Sequence, residues 1–375
     1  MNIVIYGIRG IPANYGGFET CVEETAQRFV EAGNNVTVYC RHSQYKEHLP
    51  TYKGVRLIYI RSIPTKNFET LTHSLFSTLH FLLFQKQVDC VHLYNPGSSL
   101  FIPIIKLFKR RVNVIVTVDG IEWHRDKWGW LAKTFLEFVM WFTTRVSDNV
   151  VCDSQVVRDY LAGEFDYRMA CIPYGAKLLE KTDDSYLRFG LQRKKYLLYV
   201  GRLVPEKGVH NLIEVYKRLD ADYPLVIVGD APYDKEYVHS IKRSATSKIM
   251  FLGYQYGQTY DSLLKNSLIY VSASMIEGTS PSLLAAMGAK VCCLVNGIPE
   301  NLVTIGDGAL AYEKNDLDDL ERKLRWLLGH ANIIACYSER GYQRVKEKYS
   351  WDHVAKRYLE IYKNHRSENT TGLKT

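Results

Sequence analysis

Short apolar runs recur along this chain and alternate with longer segments of helical period. They are Ile3 to Tyr6, Asn35 to Tyr39, Val88 to Leu93, Val112 to Val118, Tyr196 to Val200, Leu225 to Val228, Ile249 to Leu252, Leu268 to Ser272 and Lys290 to Val295. Runs that are continuously apolar, not alternating, are the pattern of strands covered on both faces. Their alternation with helices predicts parallel sheets sandwiched between helical layers. The series pauses between Lys177 and Lys195, where KLLEKTDDSYLRFGLQRKK is polar and charged. That pause is read as a linker, which gives two doubly wound α/β domains in tandem, over 1–177 and 178–351. A polar tail, 367–375, is expected to be disordered.

Size and composition agree with two globular domains: 375 residues, 46% hydrophobic and 23% charged. The net charge is +8, with Lys and Arg spread over both halves. This favours small anions or an anionic membrane surface over a nucleic-acid groove, so no nucleic-acid partner is expected. The eight Cys form no CxxC pair and no His/Cys cluster at zinc spacing. They read as reduced, buried thiols, and no metal or other cofactor is expected. The opening MNIVIYGIRG is a strand running into a glycine turn, without the features of a secretory signal, so a cytoplasmic location is expected. Two apolar windows, Leu75 to Phe84 and Trp130 to Phe142, are too short or too interrupted by Lys133 and Glu137 to span a bilayer, but either can lie on one. With the basic run Lys106 to Arg111, the aromatic segment Trp128 to Phe142 suits an interfacial patch; a core helix is the alternative for the second segment.

In open parallel sheets, ligands sit at the carboxyl ends of the strands, so the turns there carry the candidate chemistry. Glu277 to Met287, EGTSPSLLAAM, follows a strand-like run and combines a carboxylate, a small polar turn and a helix start. Ser280 is the candidate N-cap and Pro281 suits the first helical turn. The free N–H groups of such a helix start would face a phosphate, with Glu277 beside them for sugar hydroxyls. In GRLVPEKG, Gly201 ends a strand and Arg202 and Lys207 flank the turn, a guanidinium and an ammonium suited to one diphosphate. Gly229-Asp230 and Gly253-Tyr254 end two further strands and could flank a base. In the first half, GIRGIPANYGGFE places Gly16 and Gly17 before a helix, too loosely spaced for a dinucleotide loop. The fourth strand runs into TVDGIEWHR, where Asp119, Glu122, His124 and Arg125 crowd a strand's carboxyl end. Asp119 is the candidate contact to a reacting sugar, and Glu122, His124 and Arg125 are acceptor-side candidates. Walker, GxSxG and HExxH signatures are absent.

Together these motifs resemble the retaining glycosyltransferases of family 4, which have the GT-B fold: two Rossmann-like domains with a cleft between them. GRLVPEKG is similar to the family's diphosphate-binding turn and EGTSPSLLAAM to its Glu-x7-Glu segment; IPYGA at Ile172 to Ala176 resembles the turn that closes the first domain. Tyr349-Ser350-Trp351 resembles the turn after which a last helix, about 352–366, returns to the first domain. YGIRGIPANYGGFET and VDGIEWHR resemble a bacterial branch of rhamnosyltransferases in surface-polysaccharide (capsule and cell-envelope) assembly. The resemblance implies that Arg202 and Lys207 neutralise a donor diphosphate and that Glu277 binds sugar hydroxyls. Gly16, Gly17, Gly201, Gly278, Thr279, Ser280, Pro281, Ser282, Leu283 and Ala285 would line the donor site. Asp119 stands where many members have His. Ala285 stands where the family has its second Glu, which receives the ribose hydroxyls; losing that charged acceptor costs about 1.5–3 kcal/mol.

The implied reaction is metal-independent retaining transfer of a sugar, L-rhamnose from dTDP-rhamnose as the first expectation, to a lipid-linked saccharide on the inner face of the cell membrane. A UDP- or GDP-linked donor is the alternative within the family. A weakly catalytic nucleotide-sugar-binding protein is the alternative outside it, motivated by Ala285.

Overall fold

The computed structural model describes residues 1–363 apart from 14, 15, 66, 67, 119, 122, 124–128, 220, 232 and 233. The chain divides into two compact units, Met1–Tyr174 with Trp351–Thr375, and Gly175–Ser350.

In the first unit the strands are β1 (Asn2–Tyr6), β2 (Asn35–Arg41), β3 (Thr51–Tyr52), β4 (Val55–Ile60), β5 (Cys90–Tyr94), β6 (Asn113–Val118), β7 (Asn149–Cys152) and β8 (Ala170–Cys171). They form one sheet in the order β3-β4-β2-β1-β5-β6-β7-β8, parallel except for the β3–β4 hairpin. That hairpin turns at Lys53 (φ 49°) and Gly54 (φ 78°), the paired positive φ of a type I′ turn. The helices are α1 (Gly17–Glu31), α2 (Glu69–Phe84), α3 (Ile102–Phe108), α4 (Trp130–Val146) and α5 (Gln155–Phe165). The core lies around Val4, Tyr6, Leu93, Val114 and Val116.

The second unit contains β9 (Leu197–Val200), β10 (Leu225–Val228), β11 (Ile249–Phe251), β12 (Ile269–Ser272), β13 (Cys292–Asn296) and β14 (Leu310–Tyr312), all parallel in the order β11-β10-β9-β12-β13-β14. Around it run α6 (Val209–Leu219), α7 (Lys235–Arg243), α8 (Gly257–Asn266), α9 (Pro281–Gly288), α10 (Pro299–Ile305), α11 (Leu317–Leu328) and α12 (Ala331–Arg344). Leu197, Leu212, Ile227, Val271 and Leu294 centre its core. This is the two-domain α/β architecture expected from the alternation of apolar runs.

The polar stretch 177–195 is packed structure and not a loose connection. Tyr186 and Leu191 are buried, and the Tyr186 N–H donates to Ser262 Oγ at 3.3 Å. Lys194 caps the carboxyl end of α8, its Nζ donating to the carbonyls of Lys265 and Ser267 at 2.8 Å each. Burial, then the neighbouring Lys265, lowers the Lys194 ammonium to about 8. Charge along this segment therefore serves docking.

The last helix, α13 (Trp351–Lys363), belongs to the first unit and packs on α1. Arg28 Nε donates to Asp352 Oδ1 at 2.6 Å, and the Phe29 and Tyr362 rings meet edge-on at 5.3 Å. Tyr362 also reaches the sheet: its hydroxyl lies 2.6 Å from His92 Nδ1, while His92 Nε2 lies 2.6 Å from Thr117 Oγ1. Burial lowers the His92 imidazole to about 3, so it is neutral with both ring nitrogens paired.

Candidate functional site

Two loops of the second unit are laced together at the carboxyl end of its sheet. The first leaves β9 as Gly201-Arg202 and closes with a 3-10 turn at Pro205–Lys207; the second leaves β12 as Ala273 to Ser280. Gly208, at φ +65°, lets α6 start against the second loop, since a Cβ there would lie 2.0 Å from the Ala273 carbonyl oxygen. The Met275 N–H donates to the Glu206 carbonyl at 2.9 Å. The consequence is an ion pair that the chain's spacing does not reveal: Lys207 Nζ lies 2.6 Å from Glu277 Oε1, with side chains 17% and 11% exposed. Beneath it the buried Tyr199 hydroxyl donates to the carbonyls of Arg202 (3.3 Å) and Lys207 (3.4 Å). Burial, then the Glu277 carboxylate, pushes the Tyr199 hydroxyl upward, so it remains protonated and serves as a donor. Arg202 is exposed at the rim.

Helix α9 opens directly after this pair. Ser280 is its N-cap residue and Pro281 its first helical residue, but the Ser280 side chain makes no capping bond; its Oγ lies 3.3 Å from Ser282 Oγ. Tyr270 hydroxyl donates to that same Ser282 oxygen at 3.0 Å. The first helical bond runs from Leu284 N–H to the Ser280 carbonyl, so the N–H groups of Ser282 and Leu283 stand ahead of the ladder. Leu283 is fully buried, whereas Ser282 is half-buried. Gly278 and Ala285 are half-buried, and Thr279 is buried. Chemically, the loops offer an ammonium held by a carboxylate, a guanidinium and a helix start, an arrangement for a phosphate group next to hydroxyls.

At the neighbouring strand ends, Gly229 (φ +137°) permits contact with Gly201, whose carbonyl oxygen a Cβ would meet at 1.9 Å. Tyr254 hydroxyl donates to the Asp230 carbonyl at 2.8 Å, and the Tyr254 ring stacks on Tyr256, centroids 6.0 Å apart at 24°. Tyr256 was no sequence candidate; an aromatic pair just after an apolar run was the signal for it.

In the first unit, Gly16 is the N-cap of α1 and Gly17 its first residue, against the Tyr174 ring. Carboxylates of α1 tie down the glycine loop: Glu19 accepts from Arg9 N–H at 3.0 Å and Glu23 from Ala13 N–H at 2.7 Å. Asp119, Glu122, His124 and Arg125 lie outside the described residues. No group of three His, Cys, Asp or Glu suited to a metal ion occurs among the described residues.

The same unit carries a helix with a largely polar buried face. On α2 the buried residues are His73, Ser74, Ser77, Thr78 and Phe81, whereas Phe76, Leu79, Leu83 and Phe84 are exposed. Helices α2, α3 and α4 all pack on the turn at Pro96–Phe101, and each exposes large apolar side chains: Leu83 (72%), Phe108 (70%) and Trp130 (74%) are the most open. Within the basic run, Lys106 is taken up internally, pairing with Asp148 and donating to the Val112 carbonyl at 3.0 Å. It is thus no part of a surface patch, which leaves Lys109, Arg110 and Arg111. No helix is long and apolar enough to cross a membrane among the described residues.

Known proteins now bear on the chain. Residues 15–178 match the family described as Glycosyltransferase Family 4, and residues 188–344 match Glycosyl transferases group 1. An uncharacterized glycosyltransferase of Methanocaldococcus jannaschii is 22% identical over 92% of this chain and 94% of its own length. The phosphatidylinositol N-acetylglucosaminyltransferase GPI3 subunit of Saccharomyces cerevisiae is 21% identical over 93% of this chain and 80% of its own. Among solved structures, sucrose-phosphate synthase from Thermosynechococcus elongatus superposes with a TM-score of 0.82 at 16% identity, covering 96% of this chain and 98% of that one. Anabaena HepE in complex with UDP-glucose does so with 0.76 at 14%, over 96% and 98%. The two halves of the chain thus belong to these two families, and the protein is a glycosyltransferase of the GT-B fold.

Proposed function

We propose that this glycosyltransferase moves a sugar, with retention of configuration, from a nucleotide diphosphate to a lipid-linked saccharide in cell-surface polysaccharide assembly. L-rhamnose from dTDP-rhamnose is the donor put forward. The observation that carries the reading is the Lys207–Glu277 pair at the start of α9. In this scheme Lys207, Arg202 and the N–H of Ser282 at the helix start stabilise charge gathering on the departing diphosphate, and Glu277 accepts from the sugar hydroxyls while keeping Lys207 in place. The bond from the anomeric carbon to phosphate oxygen breaks, a bond to the acceptor hydroxyl oxygen forms on the same face, and the hydroxyl proton passes to the leaving phosphate oxygen. No metal is assigned a role, because two cations and a helix start already oppose the charge. Tyr254, braced on Asp230 and stacked with Tyr256, serves as the platform for the base. The HepE complex with UDP-glucose supports a nucleotide-sugar donor, and the yeast relative, named for phosphatidylinositol, supports an acceptor carried on lipid.

The rhamnosyl assignment rests on the likeness of the first unit's GIRGIPANYGGFET and VDGIEWHR to that branch. The acceptor-side roles of Asp119, Glu122, His124 and Arg125, and of Gly16 and Gly17 beside the donor, are part of the same reading. The outward apolar faces of α2 and α4 support peripheral attachment to the inner face of the membrane. Calorimetry and turnover with dTDP-rhamnose, UDP-glucose, UDP-N-acetylglucosamine and GDP-mannose, on the native chain and on Ala285→Glu, test the reading. Tightest binding and turnover with dTDP-rhamnose are expected, as is a tenfold or larger gain in donor affinity on restoring Glu. Turnover with another donor alone overturns the rhamnosyl assignment; binding without turnover on any lipid-linked acceptor favours a nucleotide-sugar-binding protein, the reading that Ala285 motivates.

A further inference from the structure

At the amino ends of β1, β5 and β6 the first unit has a basin of about 500 Å³, lined by Lys86, Asp89, Phe108, Lys109, Arg110 and Arg111 among others. It lies at the end of the sheet opposite the carboxyl-end turns, so the transfer chemistry does not use it. Four cations face one carboxylate there, and Asp89 Oδ2 is occupied in accepting from Asn2 N–H at 2.7 Å. Lys109 is held in position: its Nζ donates to the carbonyls of Gln85 (2.5 Å) and Lys86 (3.3 Å) and lies 5.2 Å from the centre of the Phe81 ring. Arg110 and Arg111 are exposed. The two helix ends that lead into the basin are apolar on their outer side, Leu83 and Phe84 closing α2, and Leu107 and Phe108 closing α3.

A cationic basin bordered by exposed apolar side chains is complementary to one kind of molecule, an anion joined to hydrocarbon. We infer that the basin seats the phosphate of an anionic phospholipid headgroup, with the acyl chains beside Leu83, Phe84, Leu107 and Phe108. This rests on the membrane reading above and adds to it a discrete headgroup site, which ties α2 and α3 to the charge of the leaflet. A free phosphate would share the cations but gain nothing from the apolar border.

Vesicle flotation separates the possibilities. The full-length chain is compared with Arg110→Ala/Arg111→Ala and with Lys46→Ala/Arg61→Ala, which carries the same charge change away from the basin. Vesicles are phosphatidylcholine alone or phosphatidylcholine with phosphatidylglycerol, and thermal unfolding checks that each variant is folded. Expected is an affinity loss of about thirtyfold for phosphatidylglycerol vesicles in the basin variant, at about 1 kcal/mol per basic residue, and only a few-fold loss in the control. Equal losses in both variants, or none in the basin variant, overturn the headgroup site while leaving membrane attachment standing. Wild-type protein that floats equally well with both vesicles does the same. Wild-type protein that floats with neither removes the membrane reading and the basin assignment with it. Release by excess inorganic phosphate at constant ionic strength reassigns the basin to a soluble anion and overturns the assignment; persistence of binding supports it.

Discussion

Helices α6 and α2 each pack against a parallel sheet, and they solve the problem of burial in different ways. α6 turns Val209, Leu212, Ile213, Val215, Tyr216 and Leu219 inward and leaves its charges in water. α2 turns one large apolar residue, Phe81, inward together with His73, Ser74, Ser77 and Thr78, paired in part by Ser74 with Ser98 and Thr78 with Tyr6, both at 2.8 Å, and leaves Phe76, Leu79, Leu83 and Phe84 outside. Burying each large apolar side chain is worth about 1.5–3 kcal/mol, which α2 forgoes in water. The difference is the basis of the membrane reading proposed for the first unit.

The comparison breaks most visibly under one substitution made in both helices. Leu212→Asp buries an unpaired carboxylate and should destabilise the second unit by more than about 4 kcal/mol. Leu83→Asp should change stability by less than about 0.5 kcal/mol and weaken vesicle binding instead. Denaturant melts and flotation on both variants check this; a large stability loss in Leu83→Asp would show that α2 belongs to a hidden core. The units also separate by activity. Lys207→Ala should lower kcat about a hundred- to a thousandfold while vesicle binding stays as it is, measured by donor turnover and flotation on the same preparation.

Acid acts on the first unit through two buried histidines. Burial lowers both His73 and His92 of the first unit from 6.5 to about 3, with Arg41 adding to the effect on His73. The folded unit keeps them neutral and the unfolded chain protonates them, so their contribution is complete above about pH 6.5 and is lost as pH falls toward 3. Each removes up to about 1.4 kcal/mol per pH unit across that window. Hydrogen exchange at pH 7 and 5, corrected for intrinsic rates, should show β5 losing protection while β9 holds; equal loss in both strands would discount the histidines.

The alternation of apolar runs made the two-unit α/β architecture legible in the sequence, because parallel strands covered on both faces cannot hide their composition. Shorter or mixed strands escaped: in β4 Arg56 interrupts the run, and β8 and β14 are too brief to stand out. The Lys53-Gly54 turn was a hairpin signal that a purely parallel expectation passed over. Arg202, Lys207 and Glu277 were visible as separate candidates, but the contact between Lys207 and Glu277 was not, since residues 70 positions apart meet only through β9 and β12 lying side by side. The direction α2 faces was also illegible. Hydropathy marks Leu75 to Phe84 as apolar without saying which solvent lies outside.

The return of α13 to the first unit has a bearing on synthesis. His92 and Asn113 sit in early strands of the unit, yet their partners, the Tyr362 hydroxyl at 2.6 Å and the Tyr362 carbonyl at 3.1 Å, come 270 and 249 residues later in the chain. Of the two units, the first therefore starts before the second and is completed after it, with its polar interior lacking those partners while the whole of the second unit is made.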